Sequence, residues 1–230
     1  AAALPAVPKS EVEAYRAQTA AMTELVSSSI SSEPRFNELV GAGRLEMMRN
    51  NHQNHADFMA AVFALNDYRL LARTLVWVYR AYHNHGFSYD YFPVELKAWL
   101  SALSSQFGEN GLPTITAVYN WILEHHSHIV SLAQEDAPDL VPRHPNWQEP
   151  QRQFLVAALQ GNTEACTALL DEYTHTPDDI EAFYEHVIQA AMYEIGLLWE
   201  RSEISVAEEH LASAIVTRVM ANTNARLSRS

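Results

Sequence analysis

The sequence is poor in glycine, in cysteine and in long apolar runs. It contains 7 glycines and 1 cysteine among 230 residues. The solitary Cys166 cannot form an intrachain disulfide, which is consistent with a cytoplasmic protein. No run of about 18 apolar residues is present, so we expect no helix that spans a membrane. The opening Ala-Ala-Ala-Leu-Pro has no basic stretch followed by an apolar core, so we expect no secretory signal.

Positive charge is also scarce. The chain has 15 basic and 28 acidic residues and a net charge of −13, and residues 146–210 hold only Arg152 and Arg201 against thirteen acids. A surface of this sign repels phosphate backbones. We therefore expect no direct binding of nucleic acid.

Alanine and leucine are plentiful and recur with helical spacing, which predicts an all-α fold of two helical bundles. The bundles are separated by residues 136–150, a linker with four prolines, because proline removes a backbone donor and fixes the backbone. The prediction is an N-terminal helical domain over 1–135 and a second, four-helix bundle over 151–230. The predicted helices lie near 9–28, 33–50, 51–64, 67–83, 89–106 and 113–133, and then near 149–160, 162–173, 177–199 and 205–225.

The stretch from residue 199 to residue 210 carries the most specific pattern. Trp199, Val206 and the pair Glu209-His210 recur at spacings that helices can bring together. Ser205 or Ser202 can cap a helix that starts near Val206, with acids in its first turns, where the helix dipole favours carboxylates. Two helix termini that meet at a short turn form a corner. Such a corner can present a flat aromatic ring and a hydrogen-bonding pair to a large planar ligand.

A known family shows the same pattern. The runs Glu194-Ile-Gly-Leu-Leu-Trp199 and Ile204-Ser-Val-Ala-Glu-Glu-His-Leu-Ala-Ser213 resemble the helical cap domain of methionine synthases and of CarH-type light-dependent repressors, most of all the photoreceptor branch. The resemblance covers roughly residues 150–225. It implies a cobalamin cap-type bundle in which Trp199, Val206, Glu209 and His210 lie over the upper face of adenosylcobalamin and shelter its adenosyl group.

Two features of that family are missing from these residues. The corrinoid-binding Rossmann-like domain, with its Asp-x-His-x-x-Gly loop, does not occur in the sequence. Such a domain would be supplied by further sequence, by another protein, or not at all. In the last case the function of the cap is lost and the first half carries the role. The repressors also have a histidine directly after the tryptophan, where this chain has Glu200. The resemblance further implies a homo-oligomer, because light-dependent members of the family act through assembly.

The first half is rich in histidine and aromatic residues. Seven of the eleven histidines lie between residues 52 and 128. Aromatic faces stack on conjugated rings and arginines pair with propionates, so this half could line a tetrapyrrole pocket. The alternative is that these aromatics are core and rim residues of a helix. The candidate ligand contacts are Arg73, Tyr79, Arg80, His83 and His85, and Arg69 is a further arginine that could pair with a propionate.

The arrangement of a His-rich helical half before such a cap resembles the photocobilins, photoreceptors that combine a CarH-like module with a biliverdin site. This resemblance implies a light sensor that binds biliverdin in its first half. Cys166 lies in the second half, so a bilin would be held noncovalently.

Hypotheses of an enzymatic function find less support in the sequence. A di-iron carboxylate bundle needs two Glu-x-x-His pairs, and only Glu172-Tyr-Thr-His175 fits. There is no zinc-protease motif, no glycine-rich phosphate loop and no nucleophile paired with a base. The alternative of a different class is a heme-binding sensor or oxidative enzyme that uses a first-half histidine as axial ligand.

Overall fold

The computed structural model describes residues 4–108, 111–135, 141 and 144–227. The chain divides into two compact units, Ala1–Asp136 and Ala137–Ser230, called unit 1 and unit 2 below. Within the described residues the regular structure is helical and no strand is present, so the predicted all-α fold is confirmed. None of the helices in these ranges is both long enough and apolar enough to cross a membrane.

Unit 1 is a bundle in which α2 packs against both α4 and α6. Its other main helix contacts join α5 to α8, α6 to α7 and α1 to α4. The largest fully buried side chains of its core are aromatic, and they include Tyr15, Phe63, Trp99 and Tyr119. The helices of unit 1 are α1 (Lys9–Ala17), α2 (Thr19–Ser31), α3 (Phe36–Leu39), α4 (Leu45–Leu65), α5 (Tyr68–Asn84), α6 (Tyr91–Phe107), α7 (Pro113–Glu124) and α8 (His126–Ala133).

Unit 2 is built from four helical segments around one apolar core. A 3₁₀ turn (Pro145–Trp147) leads into α9 (Gln148–Leu159), followed by α10 (Thr163–Tyr173). The third segment is the continuous run of α11 (Pro177–Phe183), a π-helical turn (Tyr184–Ile188) and α12 (Gln189–Glu200), and the fourth is α13 (Val206–Leu227). Helix α9 contacts α10, α12 and α13, so it forms the centre of the bundle.

The core of unit 2 follows from the spacing of its apolar residues. Within residues 177–200 the face that repeats every three or four residues is buried at Phe183, Val187, Ala191 and Ile195. These side chains pack against the buried faces of α9, α10 and α13. The buried residues of those three helices include Phe154, Leu170, Ala212, Ile215 and Val216.

Some predicted element boundaries were wrong. No break separates residues 50 and 51, because α4 runs unbroken from Leu45 to Leu65. The interruption lies earlier, where Gly41 and Gly43 adopt φ of 85° and 75°. Helix α9 begins at Gln148, one residue before the predicted start at 149, so the last three residues of the proline-rich segment lie in the helix. Pro150 lies in the first turn of α9, where a missing N–H costs no intrahelical bond.

Candidate functional site

A tight corner joins α12 to α13 in unit 2. Helix α12 ends in two backbone bonds, from Ser202 N–H to the Trp199 carbonyl and from Glu203 N–H to the Leu198 carbonyl, each 2.9 Å. This is a Schellman motif, and Ser202 takes its left-handed position with φ of 59°. The chain therefore reverses within one turn after Trp199.

The next helix starts with a reciprocal cap. The Ser205 hydroxyl accepts a hydrogen bond from the Glu208 backbone N–H at 3.2 Å, and the Glu208 carboxylate accepts from the Ser205 backbone N–H at 2.7 Å. This capping box begins α13 at Val206, as predicted, with Ser205 rather than Ser202 as the cap. The bonds from Ser205 also lower the pKa of Glu208. Glu208 is thereby occupied in the cap, which leaves Glu209 as the acid of the candidate pair.

Four side chains then share one face of α13. Val206, Glu209, His210 and Ser213 are spaced three, four and seven residues apart, which places them along one side of the helix. Glu209 accepts a hydrogen bond from the Ser213 hydroxyl at 2.7 Å, and its other oxygen lies 2.5 Å from His210 Nδ1. The His210 side chain is 75% exposed, and Val206 is 36% exposed.

Trp199 lies at the other side of the corner, one residue before the end of α12, and is half-buried. Glu200, which stands where the photoreceptor family has a histidine, is buried with 3% exposure. The corner thus combines an indole, an exposed aliphatic side chain and an oriented acid–histidine pair. This set can contact an extended ring through its apolar members and hydrogen-bond it through its polar members.

Comparison with protein families finds a match in this part of the chain. The sequence model of the family described as the B12 binding domain matches residues 150–223. This match supports a cobalamin-binding cap-type domain. The matched range contains all four predicted contacts, Trp199, Val206, Glu209 and His210. No curated protein and no solved structure matches the chain.

The cap-type domain also contains a contact that the sequence analysis missed. Ser213 fixes the second oxygen of Glu209, and the motif comparison stopped at the Glu209-His210 pair. The signal was available in the sequence, because an acid and a serine four residues apart on a helix are neighbours. The orientation of the pair therefore depends on three residues and not on two.

In unit 1 the five candidate bilin contacts lie in different surroundings. Tyr79 is 1% exposed, and its ring stacks on Phe92 with the centroids 3.6 Å apart, so it is a core residue. The Arg80 guanidinium donates to the carbonyls of Ala133 and Leu132 at the end of α8, at 3.0 and 3.4 Å. The Tyr79 hydroxyl lies 3.2 Å from His126 Nδ1, so the polar groups of both Tyr79 and Arg80 have partners within unit 1.

The other three candidates lie nearer to solvent. Arg73 and His83 are exposed, and His85 is half-buried. The His83 ring stacks on Tyr89 at 4.2 Å, and its Nδ1 lies 3.2 Å from the Phe87 carbonyl. Arg69 is exposed on the same helix, one turn before Arg73. The structure therefore brings Arg69 and Arg73 to one exposed face of α5 and leaves Tyr79 in the core.

A buried polar network in unit 1 was not predicted. His52 bridges two helices, with Nδ1 2.9 Å from the Ser27 hydroxyl and Nε2 2.8 Å from the Tyr91 hydroxyl. One turn later, His55 Nε2 lies 3.1 Å from the Tyr119 hydroxyl, which lies 3.0 Å from that of Tyr15. Both ring nitrogens of His52 are engaged, which does not favour this histidine as an axial heme ligand.

The network contains a carboxyl group far from solvent. Glu95 is 4% exposed and accepts a hydrogen bond from the Trp99 indole at 3.2 Å. Its Oε1 lies 4.0 Å from His55 Nδ1, too far for a hydrogen bond. Burial raises the pKa of Glu95 to about 7. Burial likewise lowers the pKa of His52 to about 4 and that of His55 to about 3, so both histidines are neutral near pH 7.

A sequence signal for Glu95 does exist. Tyr91, Glu95 and Trp99 recur every four residues in α6, so the acid falls on the stripe that faces the core. No group of three or more histidine, cysteine, aspartate or glutamate side chains is placed to hold a metal ion in the ranges that the structure describes. The network is therefore a set of buried hydrogen-bonded groups in which both histidines are neutral near pH 7.

Proposed function

We propose that unit 2 covers the upper face of adenosylcobalamin and that the protein is a light sensor. The observation that carries the proposal is the Glu209–His210 pair, held in place beside exposed Val206 at the α12–α13 corner, in the segment that matches the B12 binding domain. When bound, adenosylcobalamin supplies a cobalt–carbon bond that light can break. The chain supplies the cover over that bond.

The corner residues suit such a ligand in three ways. Exposed Val206 gives an apolar contact, and the half-buried Trp199 indole gives a flat one. The Glu209–His210 pair offers hydrogen bonds to the sugar hydroxyls or the base amine of an adenosyl group. The Schellman motif and the capping box fix the backbone of the corner before the ligand binds, which lowers the entropic cost of binding.

The lower half of the cobalamin site is part of the same proposal. A Rossmann-like corrinoid-binding domain, from further sequence or from another protein, would bind the lower face. The protein would be a homo-oligomer, cytoplasmic, and would signal light through a change of assembly. The support for these points is the resemblance of residues 150–225 to the light-dependent repressors.

For unit 1 we propose binding of a linear tetrapyrrole such as biliverdin, held without a covalent bond. The support is the cluster of exposed cations on α5, where Arg69 and Arg73 lie one turn apart in a helix without acidic residues. Their charge suits the two propionates of a bilin. His83 and His85 lie at the end of the same helix, where they would contact the ring system.

The test uses the purified chain in the dark with adenosylcobalamin, and separately with biliverdin. Retention of adenosylcobalamin on gel filtration, with a spectrum that changes on green illumination, is the expected result for unit 2. The variants Trp199→Ala and Val206→Asp should weaken retention, while Val156→Asp, at another exposed apolar position in unit 2, should not. Equal retention by all variants would place cobalamin elsewhere, and no retention by the chain would contradict binding by the cap-type domain alone.

The biliverdin arm has its own variants. We expect a retained far-red band that the double variant Arg69→Gln, Arg73→Gln weakens, whereas Arg152→Gln in unit 2 leaves it unchanged. A band that does not depend on the two α5 arginines would contradict this position for the propionates. A sharp Soret band with heme and no band with biliverdin would favour the heme sensor.

A further inference from the structure

A groove in unit 1 lies between the α1–α2 junction and α4, and none of its lining residues belongs to the proposed cobalamin or bilin contacts. Its volume is about 480 Å³, and it is lined by Arg16 on the side of the junction and by Asp57 on the side of α4. We propose that this groove binds a small zwitterion with an aliphatic body, such as an α-amino acid. The ligand carboxylate pairs with Arg16, and the ligand ammonium pairs with Asp57.

The space in the groove depends on small side chains. Ala17 and Ala20 flank the junction, where Gln18 separates α1 from α2, and Ala60 and Ala61 line the groove from α4. A methyl group is too short to fill the gap between two helices, so a volume in the range of small-molecule sites remains. Ala60 is buried with 8% exposure, so it forms the base of the groove. An aliphatic ligand body that enters here removes apolar surface from water.

The charged groups of the groove have opposite signs and are not paired with each other. Arg16 is exposed, and in the part of the chain that the structure describes its guanidinium forms neither an ion pair nor a hydrogen bond. Asp57 is also exposed, and its Oδ2 accepts a hydrogen bond from the Gln53 amide at 3.1 Å, which orients the carboxylate. A guanidinium binds a carboxylate through parallel N–H donors, and a carboxylate accepts from an ammonium. A ligand with both groups can therefore bridge Arg16 and Asp57.

Opposite charges in one groove also select against ligands with a single charge. An anion on Arg16 is repelled by Asp57, and a cation on Asp57 is repelled by Arg16, whereas a zwitterion is attracted at both ends. Thr19 favours the same polarity. Its hydroxyl donates to the carbonyls of Tyr15 and Arg16, both at 3.1 Å, so its oxygen can offer only lone pairs to a ligand. Those lone pairs suit an ammonium and not a carboxylate.

The first measurement compares three probes that share one aliphatic skeleton. L-Leucine carries both charges, isocaproate lacks the ammonium, and isoamylamine lacks the carboxylate. Binding to the full chain is followed by the ¹H–¹⁵N shifts of its backbone amides. We expect L-leucine to shift the amides of Ala17, Ala20 and Ala61 and to bind about tenfold more tightly than either analogue, since each analogue loses one charge-assisted hydrogen bond.

The second measurement changes the two charges. Arg16→Gln and Asp57→Asn should each weaken L-leucine about tenfold. Each should also strengthen the analogue that the removed charge repels, so that Asp57→Asn binds isocaproate more tightly than the wild type does and Arg16→Gln binds isoamylamine more tightly. Glu46→Gln, an exposed acid near the start of α4, and Arg152→Gln in unit 2 are the matched controls and should leave all three affinities unchanged.

A third variant tests the space itself. Ala61→Leu keeps both charges and fills the groove, so it should abolish the shifts with L-leucine while the circular dichroism spectrum stays that of the wild type. Retained binding in this variant would place the ligand outside the groove.

The remaining outcomes each contradict one part of the proposal. Equal affinity for L-leucine and one of its analogues would show that the ligand is not selected as a zwitterion. Shifts with L-leucine that persist unchanged in both Arg16→Gln and Asp57→Asn would overturn the assignment of the two charges. The absence of shifts in the wild type at the solubility limit of L-leucine would overturn the site.

Discussion

Glu95 is the residue whose surroundings depart most from those of an ordinary glutamate. The carboxyl lies in the core of unit 1 beside Trp99, with a neutral histidine 4.0 Å away. Burial favours its uncharged form. The unfolded chain ionises Glu95 above about pH 4.5, whereas the folded chain keeps the proton until about pH 7. The folded state therefore loses stability relative to the unfolded state as the pH rises from 4.5 to 7, by about 3 kcal/mol in all.

The variant Glu95→Gln tests this linkage. An amide keeps an acceptor for the Trp99 indole and has no charge to bury, so the variant should match the wild type at pH 4.5 and become more stable than it toward pH 7. We expect a gain of about 2–3 kcal/mol at pH 7.5, measured as the difference in free energy of unfolding in urea. Glu46→Gln, an exposed acid in α4, is the control. A difference between Glu95→Gln and the wild type that does not grow with pH would show that Glu95 ionises normally in the fold.

Also at the residue scale, the buried histidines His52 and His55 change the stability of unit 1 with pH in the direction opposite to Glu95. The pKa values of His52 and His55 fall to about 4 and about 3 from 6.5 in the unfolded chain. The unfolded state therefore takes up two more protons than the folded state as the pH drops below 6.5, and stability decreases. Because two histidines outweigh one glutamate, the stability of unit 1 should increase from pH 4.5 to 6.5.

Among single residues, the sequence predicted the local geometry of the α12–α13 corner better than it predicted burial. Ser205 as a cap and the shared face of Val206, Glu209 and His210 follow from local spacing along one helix. Tyr79 was assigned to a ligand surface and lies in the core, because its burial depends on Phe92 from another helix. Local pattern fixes which residues share a helix face, and tertiary packing decides what that face meets.

At the scale of helices, the N-terminus of α7 is capped by a side chain from another helix. Its first residue is Pro113 and its cap position is Leu112, which has no side-chain acceptor. Glu11 of α1 accepts instead from the backbone N–H groups of Thr114 and Ile115, both at 3.1 Å. A carboxylate at a helix N-terminus is also favoured by the helix dipole. Sequence analysis could not assign this cap, since 103 and 104 residues separate Glu11 from its partners.

The variant Glu11→Ala should destabilise unit 1 by about 1–3 kcal/mol, since it leaves two buried or half-buried N–H groups without their acceptor. Glu13→Ala is the matched control. Glu13 lies two residues away, where it forms an exposed ion pair with Lys9 at 3.5 Å, and its loss should cost less than about 0.5 kcal/mol. Thermal unfolding followed by circular dichroism measures both. Equal losses from the two variants would show that the contact with α7 adds no stability.

The capping box of α13 makes a prediction for unit 2. Ser205→Ala removes the acceptor of the Glu208 N–H, so unit 2 should lose about 1 kcal/mol and the first turn of α13 should open more often. Amide hydrogen exchange of residues 208–210 measures that opening, and thermal unfolding measures the loss. Thr217→Ala, at an exposed position in the middle of α13, should leave the exchange rates unchanged and should leave the stability unchanged or raise it slightly, because alanine favours helix. Faster exchange along the whole of α13 would instead mean that the helix depends on the cap for its formation.

For the whole molecule, each unit has an apolar core of its own. The core of unit 1 includes Tyr15, Phe63, Trp99 and Tyr119, and that of unit 2 includes Phe154, Phe183, Val187 and Ile195. The division at residues 136 and 137 falls in the segment whose prolines mark the boundary in the sequence. Composition and helical spacing therefore predict the two-bundle plan. They do not predict the buried network, which takes groups from α1, α2, α4, α6 and α7.

Because the cores are separate, fragments 1–135 and 144–230 should each fold and unfold cooperatively. Glu95, His52 and His55 all lie in the first fragment, so its midpoint temperature should rise from pH 4.5 to 6.5, and more steeply in Glu95→Gln, where the opposing carboxyl is gone. In the second fragment, adenosylcobalamin should raise the midpoint temperature, since a ligand that binds only the folded state stabilises it. Circular dichroism melts of both fragments at four pH values, with and without adenosylcobalamin, measure these effects. A second fragment without a cooperative transition would mean that unit 2 needs unit 1 to fold. A rise in the midpoint temperature of the first fragment with adenosylcobalamin would mean that cobalamin binds unit 1 and that its assignment to unit 2 is wrong.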